Sequence, residues 1–402
     1  MSLERTRFER DVCIIGGGGH VGLPLALTFA DSGLRTVVYD INAKVVESIR
    51  SGQMPFREEG ADEVLGRVLA SGTLEVESSP SLLSTCEFVV LIVGTPVDEH
   101  LNPNFTAMQK ALEQCLATLR DGQTLILRST VFPGISGFTR RWLSDRGLDV
   151  RVAFCPERVA QGQSIREFRT LPQIISAFDR ETLAKVRALF ARFTADFVEL
   201  EPMEAELAKL MTNAWRYVQF ATVNQFYMIA KQQGLDFDRI LHACRHNYPR
   251  MAGMPGPGFA AGPCLMKDTM QLAAFSGNQF VLGHAAMLVN EGLPAFMIEM
   301  AEREGPLTEL TAGILGMSFK SESDDPRDSL SYKLRKVLKL KAREVLCSDP
   351  YISDPSFVGR DELLAKADVI FVGTPHPEYR GLALPAGRRA YDVWSILSKE
   401  TR

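Results

Sequence analysis

The chain has 402 residues, 46% of them hydrophobic and 23% charged, with a formal net charge of -4. That composition belongs to an ordinary globular protein of two or three domains and argues against disordered and fibrous classes. No long Lys/Arg run appears, which argues against nucleic acid or an anionic membrane surface as the main partner and favours a small molecule.

The charged start MSLERTRFER and the shortness of the apolar run FVVLIVGTPV argue against a signal peptide and a transmembrane helix, so a cytoplasmic location is expected. The cysteines (Cys13, Cys86, Cys115, Cys155, Cys244, Cys264 and Cys347) are odd in number, scattered and without a CxxC pair. They read as reduced thiols rather than a disulfide framework or a zinc site. His242 and His246 stand one helical turn apart but have no third ligand nearby, and read as helix surface; no metal is expected.

The first elements carry a nucleotide signal. DVCIIGGGGHVGLPLALTFADSGLRTVVYDIN predicts a strand over Val12–Ile15, a glycine turn, a helix to about Asp31 and a second strand ending at Asp40. Gly17, Gly19 and Gly22 fit GxGxxG. The first makes the tight turn, the second lets a pyrophosphate approach the backbone, and the third lets helix pack on strand. Asp40 is placed to bind the ribose hydroxyls of NAD and to repel the 2′-phosphate of NADP. Two further apolar runs, Phe88–Pro96 and Thr124–Gly134, end in small or hydroxyl residues, as parallel strands do beside a ligand crevice. Thr95 and Thr130 are therefore expected to line the cofactor cleft.

From Met203 to Gln233 no glycine or proline interrupts the chain, which predicts one helix of about 45 Å able to join two domains. Leu207, Leu210, Met211, Ala214 and Val218 make its apolar stripe, while Glu206, Lys209, Asn213 and Arg216 follow another face. That second face reads equally as a solvated surface with i,i+3 pairs. Next comes PGPGFAAGPCLMKD, where glycine and proline specify a shaped loop around Cys264. Thr311–Lys320 predicts the first strand of a second sheet, and Val369–Pro375 (VIFVGTP) echoes Val90–Pro96 (VLIVGTP). Gly313 and Gly316 form no GxGxxG triplet, so this sheet need not bind a dinucleotide; Lys320 and Arg327 supply cations suited to phosphate.

In order, GGGHVGLPLA, VGTP, STVFPG, PER, AELAKLMTN, PGPGFAAGPCLMKD and GMSFKSESDDPRDS resemble the nucleotide-sugar 6-dehydrogenase family, which includes UDP-glucose, UDP-N-acetylmannosamine and GDP-mannose dehydrogenases. The resemblance spans nearly the whole chain. It implies an α/β fold of two Rossmann-like doubly wound parallel-sheet domains joined by a long central helix and a helical dimerisation domain. The implied divisions are 8–200 for NAD, 201–304 for the central domain with the cysteine loop, and 305–402 for the sugar nucleotide. The implied reaction is a four-electron oxidation of a C6 alcohol to a carboxylate with two NAD, by a homodimer.

The same resemblance implies roles for single residues. Cys264 would form a thiohemiacetal with the intermediate aldehyde, then a thioester that hydrolyses to the acid. Lys209 and Asn213, at i,i+4, stabilise the oxyanion. Asp268 and Glu157 handle water or protons, and Thr130 helps place the water. Gly17, Gly19, His20, Val21, Gly22, Asp40, Lys44, Thr95, Thr130 and Arg327 are expected at the cofactor. Lys209, Asn213, Tyr248, Gly258, Phe259, Gly262 and Lys320 are expected at the substrate.

The chain departs from the family pattern where Ala261 replaces a glycine, Met266 a proline, and Asn224–Gln225 the usual NE. PERVAQG is closer to the N-acetylhexosamine branch, with Gln161 where many glucose enzymes carry a second glutamate. UDP- or dTDP-glucose is the first expectation for substrate, and a UDP-N-acetylhexosamine (ManNAc or GlcNAc) the alternative. Two other readings stay open: a single-step hydroxyacid dehydrogenase, which Cys264 and the second sheet speak against, and a non-catalytic NAD or sugar-nucleotide sensor, which the altered loop motivates.

Overall fold

Two sheets, of eight and four strands, organise the chain in the computed structural model, which describes residues 8–95 and 106–398. Each sheet belongs to its own compact unit, and the division falls between Met211 and Thr212.

The first unit runs β1 (Arg10–Ile15), α1 (Gly22–Asp31), β2 (Thr36–Tyr39), α2 (Ala43–Arg50), α3 (Ala61–Ala70), β3 (Leu74–Glu77), β4 (Cys86–Leu91), α4 (Thr106–Cys115), β5 (Thr124–Leu127), α5 (Ile135–Ser144), β6 (Arg151–Phe154), α6 (Ser164–Thr170), β7 (Gln173–Ala177), α7 (Arg180–Phe190) and β8 (Phe197–Leu200). The sheet order is β3-β2-β1-β4-β5-β6-β7-β8, parallel except where β6 meets β7. The strand order reverses between β1 and β4, which is where a doubly wound sheet opens a ligand crevice. Because both sheet faces are covered, alternate residues of one strand enter different cores. Val12 and Ile14 share a core with Leu23 and Phe29 of α1. Cys13 and Ile15 share another with Met108 and Leu112 of α4.

The run expected as one strand over Thr124–Gly134 is strand only to Leu127. The amides of Arg128 and Ser129 both turn to the carbonyl of Leu91, and Gly134 takes φ +99° as the N-cap of α5. In the earlier run, Pro96 lies outside the described residues.

The expected long helix is α8 (Pro202–Gln232), 31 residues that cross the division. Proline suits its first turn, and Gly234 ends it at φ +68°, its amide returning to Lys231. The second unit continues with α9 (Phe237–Arg245), α10 (Leu265–Phe275), α11 (Val281–Arg303), β9 (Thr311–Leu315), α12 (Leu330–Lys341), β10 (Glu344–Ser348), α13 (Arg360–Lys366), β11 (Val369–Val372) and β12 (Arg389–Tyr391). Its parallel sheet has the order β10-β9-β11-β12. The central helices and this sheet are not separate bodies: Tyr227, Phe237, Leu293 and Phe296 share one core with Ile314, Leu334 and Phe371. By length and composition α11 could cross a membrane, but its Leu293, Met297, Ile298 and Ala301 are buried in that core.

Candidate active site

The glycine turn after β1 is shaped by contacts that exclude a Cβ. Gly16 takes φ +73°, and a Cβ there would sit 2.0 Å from the carbonyl of Ile92. The left-handed residue of the turn is therefore Gly16, one place before the glycine the motif suggested. A Cβ on Gly17 would lie 2.7 Å from the carbonyl of Ile14, and one on Gly22 2.5 Å from that of Gly16, so both are needed for close helix–strand packing. Gly19 has only Gly16's carbonyl near, at 3.5 Å, so its Cβ side is open.

Val21 is the N-cap of α1, and His20 stacks on Phe56 with ring centroids 4.1 Å apart. Asp40 accepts hydrogen bonds from the amides of Gly18 (3.0 Å) and Asn42 (2.9 Å), each oxygen retaining a lone pair for a ribose hydroxyl. Lys44 is exposed in the first turn of α2. After β4 and β5, the Thr95 hydroxyl donates to the Thr130 carbonyl at 2.6 Å, which brings those two residues together. An open-faced glycine turn, a helix N-terminus and a carboxylate at the end of β2 fit a dinucleotide. NAD, when bound, accepts the hydride.

Glu157 meets a partner that the motifs did not announce. Arg128, whose side chain is fully buried, donates to one Glu157 oxygen, to the carbonyl of Cys155 (3.0 Å) and to Gln173 (3.2 Å). Its guanidinium packs against Phe168 and Phe190, 5.5 and 5.0 Å from their ring centres. The other Glu157 oxygen accepts the amides of Arg158 (2.6 Å) and Val159 (2.8 Å). Glu206, buried on α8, accepts the amides of Gly134 (2.6 Å) and Ser136 (2.8 Å) and so binds α8 to the N-terminus of α5. One turn later, Lys209 is 8% exposed and its ammonium has no hydrogen-bond or ion-pair partner among the described residues.

In the second unit Cys264 is exposed and occupies the N-cap of α10. Asp268, one turn on, is fully buried. It accepts from the Asn213 amide at 2.6 Å and pairs with the Lys267 ammonium at 2.8 Å. Gly258 is bonded at both its amide (2.8 Å) and carbonyl (2.9 Å) by the buried side chain of Asn224. A Cβ on Gly258 would lie 2.0 Å from the Trp394 ring, and Phe259 meets the same ring edge-on. Gly262, at φ +97°, donates to the Asp328 carbonyl (3.2 Å) and faces Phe319. The cysteine loop is thus packed on the loop that bears Lys320 and Arg327. Lys320 is half-buried, and Arg327 is clasped by Asp325, whose oxygens take its Nε at 2.9 and 3.0 Å. Arg327 belongs to this unit, and the other residues expected at the cofactor belong to the first. Tyr248 is exposed and bonded to Arg250 (3.2 Å), with no hydrogen bond to the cysteine loop among the described residues.

Three domain profiles of one family match the chain in order: the UDP-glucose/GDP-mannose dehydrogenase NAD binding domain over residues 10–194, its central domain over 203–291 and its UDP binding domain over 313–399. The chain belongs to the UDP-glucose/GDP-mannose dehydrogenase family. It is 29% identical over 378 residues to a UDP-N-acetyl-D-mannosamine dehydrogenase of Pyrococcus horikoshii, covering 91% of this chain and 90% of that one. A namesake from Yersinia pestis is 26% identical, covering 91% and 94%. Among solved structures, a UDP-glucose dehydrogenase of Pyrobaculum islandicum matches with TM-score 0.89 at 26% identity, over 100% of this chain and 98% of that one. The Pyrococcus horikoshii UDP-D-ManNAc dehydrogenase matches with TM-score 0.88 at 26% identity, over 95% and 99%.

This member of the family is an NAD-dependent nucleotide-sugar dehydrogenase, which displaces the hydroxyacid-dehydrogenase and sensor readings. Arg128, Glu206, Lys267 and Asn224 all support residues that motifs pointed to, yet none was given a role from the sequence. The one local signal was the lysine beside Asp268 in CLMKD; the others act across long stretches of chain.

Proposed function

We propose that this dehydrogenase oxidises C6 of UDP-N-acetyl-D-mannosamine to the uronate in two steps. The observation that carries the choice of sugar is the likeness, over nine-tenths of the chain, to enzymes named for that substrate. Gln161, in place of a second glutamate, agrees with it. The expectation of UDP- or dTDP-glucose becomes the second reading, favoured by the match to the Pyrobaculum islandicum enzyme.

In the first step hydride leaves C6 and the hydroxyl proton is released, giving an aldehyde. The Cys264 sulfur bonds to C6 as the carbonyl oxygen becomes negatively charged. Loss of a second hydride gives a thioester, and water breaks the C–S bond to return the thiol and the acid. Lys209, buried and lacking a protein partner, and Asn213 are the proposed donors to that oxygen. Asp268, Glu157 and Thr130 are the proposed groups for proton and water handling. A homodimer is proposed through the second unit, where Trp215, Phe226, Ile229, Leu235 and Ile240 are exposed and four of them line an apolar groove of about 200 Å³. Ile229→Glu should convert that dimer to monomers in sedimentation.

The deciding experiment measures NADH formed from limiting UDP-N-acetylmannosamine, UDP-N-acetylglucosamine, UDP-glucose, dTDP-glucose and GDP-mannose. Two NADH per UDP-N-acetylmannosamine are expected, with kcat/KM at least about tenfold above UDP-glucose, an energy gap of about 1.4 kcal/mol. A preference for UDP-glucose would transfer the assignment to the second reading, and one NADH per sugar would refute the two-step chemistry.

A further inference from the structure

Three loops meet where β9, β10 and β11 end, on the side of a parallel sheet where ligands bind. Their buried polar side chains include Ser318 after β9, Asp349 after β10 and His376 after β11, which meet one another. We propose that His376 is a positioning residue that clamps the loop over residues 316–329 in the shape that binds UDP.

The imidazole is wholly buried and spans two loops. Its Nδ1 accepts the amide N–H of Glu322 at 3.2 Å, which assigns the ring hydrogen to Nε2. Nε2 then donates to Oδ2 of Asp349 at 3.1 Å, with the Ser318 hydroxyl 3.2 Å away. Because Asp and Ser share one nitrogen and a backbone amide takes the other, this is no hydrolytic triad, in which the carboxylate and the hydroxyl face opposite ring nitrogens. Asp349 extends the clamp by accepting the amides of Met317 (2.6 Å) and Ser318 (3.0 Å) on the loop and of Tyr351 (2.8 Å) on its own.

The clamped segment needs holding. Glu322 has φ +57°, a left-handed conformation that is unfavourable for a non-glycine residue, and its amide is the one His376 accepts. Gly316, at φ +89°, lies so close to Thr374 that a Cβ would sit 2.6 Å away. The same segment carries Lys320 and Arg327 and backs the cysteine loop through Phe319 and Asp328. Nothing on His376 reaches solvent, so its effect on UDP is transmitted through the loop.

The inference rests on the UDP-binding assignment of this domain and not on the choice of sugar. The test is calorimetric titration of the full chain with UDP, and separately with NAD, for His376→Asn, His376→Gln and His376→Phe, with the unfolding temperature of each. Oδ1 of asparagine stands two bonds from Cβ, as Nδ1 does, and keeps the acceptor for Glu322. Glutamine's terminal nitrogen stands three bonds away, as Nε2 does, and keeps only the donor. His376→Phe should weaken UDP about tenfold, and His376→Gln nearly as much, the size of one lost buried hydrogen bond. His376→Asn should stay within about threefold of wild type, and NAD affinity should not move in any variant. If His376→Phe does not fold, the asparagine and glutamine variants decide. Equal UDP affinity in those two, or wild-type affinity in folded His376→Phe, would overturn the clamp. Failure of the wild type to bind UDP would overturn the nucleotide assignment and the clamp with it.

Discussion

Asn213 donates from Nδ2 to Oδ2 of Asp268 at 2.6 Å, and both side chains are buried. The bond ties α8 to the first turn of α10, the helix capped by Cys264. Asp268 also holds Lys267 at 2.8 Å, so its charge serves two partners. Asp268→Asn should lower kcat by about 10² and stability by about 1–3 kcal/mol, because an amide cannot accept from both. Steady-state NADH formation and urea unfolding check this; a stability loss with full turnover would leave Asp268 a purely structural part.

Lys209 should separate activity from stability in the opposite sense. The Lys209 side chain is largely covered but its ammonium has no ion pair or hydrogen bond among the described residues, so replacing it removes no protein contact of the charge. Lys209→Met is therefore expected to unfold at the same or a higher temperature while kcat drops by about 10²–10³, as on removal of one oxyanion donor. Activity lost only in step with melting temperature would count against the proposed role.

Cys264→Ser changes one exposed atom at a helix N-cap. Serine caps helices well, so stability should stay within about 0.5 kcal/mol. Acid formation should fall by orders of magnitude, because an unassisted hydroxyl is a poor nucleophile. In a single turnover the first NADH should still form, slowly; a normal yield of two would refute the covalent route.

Asp40 closes the end of β2, its oxygens held by Gly18 and Asn42. NAD should be used far better than NADP, since the carboxylate faces either two hydroxyls or a phosphate dianion. Asp40→Ala should narrow the ratio of kcat/KM values for the two cofactors by at least about tenfold, or 1.4 kcal/mol. An unchanged ratio would place the discrimination elsewhere.

Stability should record Asp349 at low pH. Burial disfavours its carboxylate, yet hydrogen bonds from His376 and from the amides of Met317 and Tyr351 outweigh this and hold the carboxyl below its usual range. The folded protein thus binds this proton less readily than the unfolded chain. Its contribution is full above the ordinary value of about 3.9 and is lost as pH falls through the lowered one. The stability difference between wild type and Asp349→Asn should be constant above about pH 5 and shrink below about pH 4 in urea unfolding. A difference that persists unchanged down to pH 2 would show that the carboxyl is not lowered.

Spacing along the chain was enough to read the glycine turn, Asp40, the 31-residue helix and the loop around Cys264, because each is set by local backbone preferences or by a short period of apolar residues. It was also enough to see two sheets. Tertiary structure decided the rest. The left-handed turn residue is Gly16, where the carbonyl of Ile92, just past the end of β4, leaves no room for a Cβ. The strand over Thr124–Leu127 ends early because two amides turn to Leu91. Arg128 meets Glu157 across 29 residues, Asn213 meets Asp268 across 55, and His376 meets the Glu322 amide across 54. Such pairs are chosen by strand order and by burial, which leaves a polar group to bond whatever the fold brings beside it, and no periodicity in the sequence records that choice.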